Sequence, residues 1–188
     1  VCSSDLRYVQ AVMALLAASE RTRVPLVGYV DTSYAKDFVT MLDVLGGTQL
    51  GWGISDGALL SSRMGWGDRT VALACARDDG VDPVDGAKYY PDVLFTYLKT
   101  TADRPPARLE LPRWVLEAGQ LDYVLDLVRA ECVVGNGYPY PIETADAVAV
   151  ITHQDRERFY RLFQEFAEKE GLPLRFSRKA VSKRGRRR

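Results

Sequence analysis

The sequence predicts a single α/β or α+β domain in which helices flank a mixed β-sheet. The chain has 188 residues, 47% of them hydrophobic, which suffices for one domain with a sizeable core. Stretches with helical spacing and stretches with strand patterns follow one another in mixed order, without an internal repeat or an interdomain linker. We therefore expect one globular domain.

The chain is predicted to begin with a helix, a strand and a second helix. Apolar residues within 9–17 recur every three or four positions, the spacing of an amphipathic helix. The short β-branched stretch 24–30 is typical of a buried strand, and Asp31 stands at its end. The following segment indicates a helix capped by Thr32 or Ser33.

The central segments continue this mixture. A short helix is predicted from about Asp56, and residues 70–76 suit a strand, although a helix is also compatible with them. Residues 93–100 and 107–112 alternate side-chain types around a proline-containing connection, which predicts an antiparallel strand pair. Apolar spacing over residues 121–128 predicts a helix that ends at a Gly-Asn-Gly sequence.

Two helices are predicted in the last part of the chain. Pro141 suits a first helical turn because proline fixes φ, and Glu143 then meets the positive end of the helix dipole. The segment 152–155 resembles a capping box at the start of the next helix. We expect the apolar stripe of that helix to face the core: it consists of Phe159, Leu162, Phe163, Phe166 and Ala167.

Several classes of site are excluded by the sequence. It contains no GxxxxGK[ST], no strand-associated GxGxxG and no GxSxG motif, which argues against nucleotide binding and serine hydrolysis. Cys2, Cys75 and Cys132 form no CxxC pair, so we expect reduced, mostly buried thiols. The single histidine, His153, cannot supply a multi-histidine metal site. No apolar run is long enough to span a membrane, and the cytoplasm is the expected location.

Carboxylates remain as candidates for chemistry. Hard divalent ions such as Mg²⁺ and Mn²⁺ prefer oxygen ligands, and Asp31, at the end of a strand, is the best placed to supply one. Asp56 and Asp146 are the other candidates. Asp31 and Asp56 can instead cap helices, and Asp146 can simply face solvent.

The net charge of zero conceals a basic carboxy terminus. Residues 175–188 contain eight Lys and Arg residues and no acid. The remaining 17 basic residues face 25 acidic ones, so the rest of the chain carries a net charge of −8. A basic tail on an acidic body can neutralise phosphates, although it can also serve only as a solubilising tail. The candidate DNA-binding residues are Arg178, Lys179, Lys183, Arg184, Arg186, Arg187 and Arg188.

The first residues are unusual. The chain begins with Val rather than Met, and VCSSDL is similar to a translated sequencing adapter. We therefore expect residues 1–6 to be a non-native leader, residues 7–176 to form the domain and residues 177–188 to form a disordered basic tail. On this interpretation the chain is the carboxy-terminal part of a longer protein.

Four segments together resemble the carboxy-terminal half of the NurA nuclease family. They are PLVGYVDTSYAKDFVTML, YLKTTADRPPARLELPRWV, GYPYPIETADAVAVI followed by DRERF, and SRKAVSKR. They occur in the family's order and cover most of residues 25–183. The most specific part is PARLELPRWV followed by the GYP segment.

The resemblance implies a function as well as a fold. It implies an incomplete RNase H-like fold, a ring-shaped homodimer and Mn²⁺-dependent (or Mg²⁺-dependent) DNA cleavage, with 5′-to-3′ exonuclease and single-strand endonuclease action. It also implies work with a HerA-type hexameric ATPase in DNA end resection and double-strand break repair. A metal-activated water would then attack phosphorus.

The sequence departs from the family pattern at two points. The family's main metal-binding acids lie in an amino-terminal half with no counterpart here, so we expect this chain alone to be inactive. Many members also carry a histidine where this chain has Asp146. If the helix continues, His153 lies on roughly the same side as Asp146 and can substitute for that histidine. Asp31, Asp146 and His153 are accordingly the candidate catalytic residues, with the two aspartates as metal ligands.

A second hypothesis comes from another functional class. The chain can be a non-catalytic module that binds DNA or docks on an ATPase ring. The effect of changing Asp31 and Asp146 on DNA cleavage distinguishes this module from a nuclease.

Overall fold

The computed structural model describes residues 3–75 and 90–172 of the chain. The basic tail, the first two residues and the segment 76–89 lie outside the described residues. The elements are α1 (Ser3–Thr22), β1 (Gly28–Val30), α2 (Asp37–Gly46), α3 (Asp56–Ser61), β2 (Leu73–Ala74), β3 (Val93–Leu98), β4 (Ala107–Pro112), α4 (Arg113–Glu117), α5 (Leu121–Val134), α6 (Tyr140–Val148) and α7 (His153–Lys169). This order confirms the predicted succession of helices and strands, with α4 as an additional short helix.

The strands form one sheet in the order β1-β4-β3-β2. Residues of β3 and β4 pair in antiparallel register from Val93 opposite Pro112 to Leu98 opposite Ala107, which confirms the predicted strand pair. Every pairing between the named strands is antiparallel. The mixed sheet that the sequence favoured is therefore not seen among the described strands.

Hydrophobic clusters cover both faces of this sheet. Leu98, Leu109 and Leu111 pack on one face against side chains of α4 and α5 such as Val115 and Leu125. On the other face, Phe95 and Tyr97 belong to a cluster that includes one residue of α3, and one partly buried residue each of α1 and α2 packs against it. Burial on two faces explains why every residue of β3 is buried, although its side-chain types alternate.

Strand β1 is shorter and less buried than predicted. Within residues 24–30 only Gly28–Val30 are in strand conformation, and among the described strands β1 pairs with β4 alone. An edge strand has a neighbour on one side only, so Gly28 and Val30 stay exposed and Tyr29 is half-buried. The prediction of a buried strand over residues 24–30 was therefore wrong in length and in burial.

Helix α2 is capped from a distance. Neither Thr32 nor Ser33 caps it, because the helix begins only at Asp37. Instead, the carboxylate of Asp56 accepts hydrogen bonds from the backbone N–H groups of Phe38 and Val39, at 3.0 and 2.9 Å. A carboxylate at this position satisfies two helix donors that have no partner within the helix.

Asp56 belongs to a buried polar network. The Tyr97 hydroxyl donates to Asp56 Oδ2 at 2.7 Å, and both side chains are fully buried. Burial, together with the nearby Asp56 carboxylate, raises the pKa of Tyr97 to about 12. Arg108 is also buried; it pairs with Asp37 and Glu110 at 2.8 Å each. With all its partners inside the protein, Asp56 is a structural acid.

The chain divides into two compact units, residues 1–143 and residues 144–188. In the second unit, the predicted capping box at the start of α7 is confirmed: Thr152 and Asp155 exchange side-chain and backbone hydrogen bonds. The predicted core face of α7 is wrong for Phe159, Leu162, Phe163 and Phe166, which are all exposed, whereas Ala167 is buried. The spacing of the apolar residues predicted the helix correctly, but it did not predict whether the apolar face of the helix is buried.

None of the helices in residues 3–75 and 90–172 is long and apolar enough to cross a membrane.

A candidate active-site cleft beside the first strand

A cleft of about 570 Å³ opens beside the end of β1, within the first unit. The end of β1, the loop before β2, the β3–β4 connection and the turn after α5 meet there. We call it the Asp31 cleft; its lining residues are Asp31, Trp66, Thr100, Thr101, Asp103, Arg104, Cys132, Val133, Asn136, Gly137 and Tyr138.

Asp31 lies in this cleft with its charge uncompensated by a close contact. It follows β1 directly and is exposed. Within the described part of the chain it accepts no hydrogen bond and forms no ion pair. Because Asp56 caps α2, Asp31 has no capping role there. Its carboxylate is therefore available to a ligand.

One wall of the cleft is the turn that ends α5. The N–H of Gly137 donates to the Cys132 carbonyl at 2.7 Å, the bond of a Schellman motif, with Asn136 in the left-handed conformation at φ 52°. Gly135 must lack a side chain, because a Cβ there would overlap the carbonyl oxygen of Tyr138. The Gly-Asn-Gly sequence thus ends the helix, as predicted, and turns Tyr138 into the cleft wall.

The β3–β4 connection supplies the polar side chains of the cleft. Thr101 accepts a hydrogen bond from the Arg104 backbone N–H at 3.2 Å. The buried ammonium of Lys99 donates to the backbone carbonyls of Ser61 and Arg104. These bonds fix the backbone of the connection, from which the exposed side chains of Asp103 and Arg104 extend. The cleft consequently contains two carboxylates and one guanidinium.

Two buried groups at the cleft, the Tyr29 hydroxyl and the Cys132 thiol, are neutral at physiological pH. Tyr29 packs edge-on against Tyr138, with ring centroids 5.3 Å apart. Its hydroxyl is buried and has no hydrogen-bond partner among residues 3–75 and 90–172, although Thr100 and Cys132 lie near enough to influence it. Burial is the main reason why the pKa values of Tyr29 and the Cys132 thiol are raised, and the charge of Asp31 contributes. The predicted buried thiols are confirmed for Cys75 and Cys132.

The described residues provide part of a metal site at most. In residues 3–75 and 90–172, no group of three His, Cys, Asp or Glu side chains is placed to hold a metal ion. Asp31 and Asp103 line the same cleft, and their oxygens suit Mg²⁺ or Mn²⁺. By themselves the two carboxylates do not complete the coordination that these ions require.

The other two predicted site residues belong to the second unit. Asp146 is exposed on α6. Since α6 ends at Val148, the continuous helix that would align Asp146 with His153 does not form. His153 is the first residue of α7 after the Thr152 cap, as predicted; it is exposed, with Nδ1 3.7 Å from a Glu157 oxygen. The seven basic tail residues lie outside the described residues.

Of the eleven residues that line the cleft, only Asp31 was identified from the sequence as a site residue. Asp103 and Arg104 belong to the connection between the paired strands, and loops of this kind often carry functional side chains. Trp66 lies in a glycine-rich segment that has no clear periodicity. Tyr138 precedes the helix start that was predicted at Pro141. The sequence did offer one signal for Asp103 and Tyr138. Each lies in a loop that follows the end of a predicted strand or helix.

The family model of the NurA domain matches residues 3–151. The chain matches no curated protein and no solved structure. The matched range includes the four described strands and every residue that lines the Asp31 cleft. The chain therefore belongs to the NurA family, a family of nucleases.

Proposed function

We propose that the Asp31 cleft holds a DNA strand and that the chain functions in a metal-dependent DNA nuclease. The observation that supports this most directly is the unpartnered Asp31 carboxylate in a cleft that also contains Asp103 and Arg104, in a chain of the NurA family. The guanidinium of Arg104 has the donors to bind a phosphate oxygen. The carboxylates belong to the side-chain class that binds hard divalent ions.

The metal in this proposal is Mn²⁺ or Mg²⁺. Such an ion supplies positive charge to a phosphodiester and lowers the pKa of bound water. Asp31 and Asp103 are the ligands that the cleft offers. The catalytic roles of Asp146 and His153, which belong to the second unit, are separate proposals. Arg104 would position the phosphate, and the polar groups of Thr101 and Asn136 can orient the strand.

Family membership also motivates the finer parts of the proposal. They are 5′-to-3′ exonuclease and single-strand endonuclease activity, an RNase H-like architecture, a homodimer, and action with a HerA-type ATPase in end resection during double-strand break repair. The chain would contribute the wall that carries Asp31 to this assembly.

Substitution of Asp31 tests the proposed nuclease function. Single-stranded DNA labelled at one end is incubated with Mn²⁺ and with EDTA, using the chain alone and the product of its complete open reading frame. We expect Mn²⁺-dependent cleavage by the product of the complete open reading frame. Asp31→Asn should reduce that cleavage about 100-fold or more, because the amide removes the negative charge and keeps the shape. Asp103→Asn and Asp146→Ala are compared under the same conditions.

Two results would contradict the proposal. If neither wild-type form cleaves DNA with Mn²⁺, the nuclease function is wrong. If Asp31→Asn cleaves at the wild-type rate, Asp31 does not belong to the reaction site.

The basic tail provides an independent prediction about DNA affinity. Deletion of residues 177–188 removes seven Lys and Arg residues, so DNA binding should weaken and its dependence on salt should flatten. Measuring the dissociation constant over a series of salt concentrations tests this. An unchanged slope of log K against log salt would show that the tail only solubilises.

The alternative function is a non-catalytic module that binds DNA or docks on an ATPase. The exposed aromatic side chains of α7 favour it, because Phe159 and Phe163 stack at 6.3 Å between centroids and offer an apolar surface to a protein. If the wild-type chain binds DNA but no preparation of it cleaves DNA, the non-catalytic function is supported over the nuclease.

A further inference from the structure

Trp66 is a large aromatic residue that remains accessible in the Asp31 cleft. Its side chain is 57% exposed. Its indole Nε1–H donates to the Thr100 carbonyl at 3.1 Å, which satisfies the polar atom and restrains the ring. The accessible surface of the side chain is therefore mainly apolar and aromatic.

The backbone around Trp66 is fixed on both sides. The Gly67 N–H donates to the Lys99 carbonyl at 2.8 Å, and the Gly67 carbonyl accepts from Arg129 at 2.9 Å. The Lys99 N–H in turn donates to the Asp68 carbonyl at 2.9 Å. An aromatic ring with this support loses little conformational freedom when a ligand packs on it.

We propose that Trp66 is the residue on which a base of single-stranded DNA stacks when the strand enters the Asp31 cleft. The inference rests on the proposed function, because it assumes a DNA strand in that cleft. Arg104, in the same cleft, would bind the phosphate beside the stacked base. Unpaired bases expose their faces, whereas duplex bases are already stacked, so Trp66 confers a preference for single strands.

Binding of two oligonucleotides in EDTA tests the role of Trp66 without cleavage. One is an oligothymidylate of about 12 nucleotides, and the other has the same phosphates but abasic sugars. The matched variants are Trp66→Phe and Trp66→Leu. Both lose the hydrogen bond to Thr100, and only Phe keeps an aromatic face.

We expect the wild-type chain to bind the oligothymidylate roughly 10-fold more tightly than the abasic strand. Trp66→Phe should keep this preference within about threefold, whereas Trp66→Leu should abolish it, so that the two strands bind with equal affinity. Equal wild-type affinities, or a preference that persists in Trp66→Leu, would overturn the stacking role.

Failure of the stacking role and failure of the nuclease function give different results. If Trp66→Leu abolishes the preference but Asp31→Asn cleaves normally, the stacking residue is correct and the assignment of Asp31 is wrong. If Asp31→Asn abolishes cleavage while Trp66→Leu keeps the preference, only the stacking role is wrong.

Discussion

Asp56 and Asp31 lie in two regions of the first unit that differ in the burial and hydrogen bonding of the carboxylate. Asp56 is fully buried beneath the sheet, where two backbone N–H groups and the Tyr97 hydroxyl donate to it. Asp31 is exposed at the end of β1 and accepts no hydrogen bond within the described residues. Both residues were possible metal ligands on the basis of the sequence. The structure distinguishes them by the hydrogen-bond partners of their carboxylates.

The difference follows from the cost of burial. A buried charge is stable only when surrounding groups replace the water it loses, so its hydrogen-bonding capacity is used within the protein. An acid on the surface of a cleft keeps its hydration and can exchange it for a cation or a ligand. Asp56 therefore stabilises the fold, whereas Asp31 is free for function.

The largest effect on stability is expected for Asp56→Ala. The substitution leaves the N–H groups of Phe38 and Val39 and the hydroxyl of Tyr97 without an acceptor. We expect a loss of about 3 kcal/mol or more in the free energy of unfolding, measured by urea denaturation. Asp31→Ala is the matched control and should change it by less than about 0.5 kcal/mol. Similar losses for both variants would abolish the distinction between the two regions.

A smaller loss is expected where the cleft wall depends on backbone packing. Gly135→Ala places a Cβ against the Tyr138 carbonyl, so the turn after α5 must shift, at a cost of roughly 2 kcal/mol. Affinity for the oligothymidylate should fall with it. Gly53→Ala is the control, because φ is −130° there and a Cβ meets open space. An intact affinity in Gly135→Ala would mean that the turn does not shape the cleft.

The smallest effect is expected at the exposed capping box of α7. Thr152→Ala should cost about 1 kcal/mol of helix stability, measured as a loss of helical circular dichroism. The Thr152 hydroxyl also lowers the pKa of Asp155 below its ordinary value of 3.8. The stabilisation from the hydrogen bond between Thr152 and the Asp155 carboxylate is therefore fully present above about pH 4. It is lost as the pH falls through the lowered pKa of Asp155. If Thr152→Ala loses its helical signal at the same pH as the wild-type chain on acidification, the capping box does not contribute to the stability of α7.

Local patterns predicted the elements of the fold well. The period of apolar residues identified α1, α5 and α7, and the alternating segments around the prolines identified β3 and β4. The errors concern relations between distant residues. No local signal shows that Asp56 caps a helix 19 residues earlier in the chain, or that the aromatic side of α7 stays exposed.

The candidate site was predicted only in part, for the same reason. A position at a strand end selected Asp31, and the structure places it in a cleft. Trp66 and Arg104 approach Asp31 only through the folding of three connections, and their separation in sequence gives no indication of this. The alignment of Asp146 with His153 required a helix that ends at Val148.

Helix α5 supports two walls of the cleft at once. Its last turn leads into Gly137 and Tyr138, and its Arg129 side chain holds the Gly67 carbonyl next to Trp66. The same helix packs against the sheet through Leu125, which is fully buried. Local opening of either wall therefore requires disturbance of a helix anchored in the core. We therefore expect the backbone amide hydrogens of both walls to exchange through the same opening reaction. The free energy of that opening should approach the free energy of global unfolding.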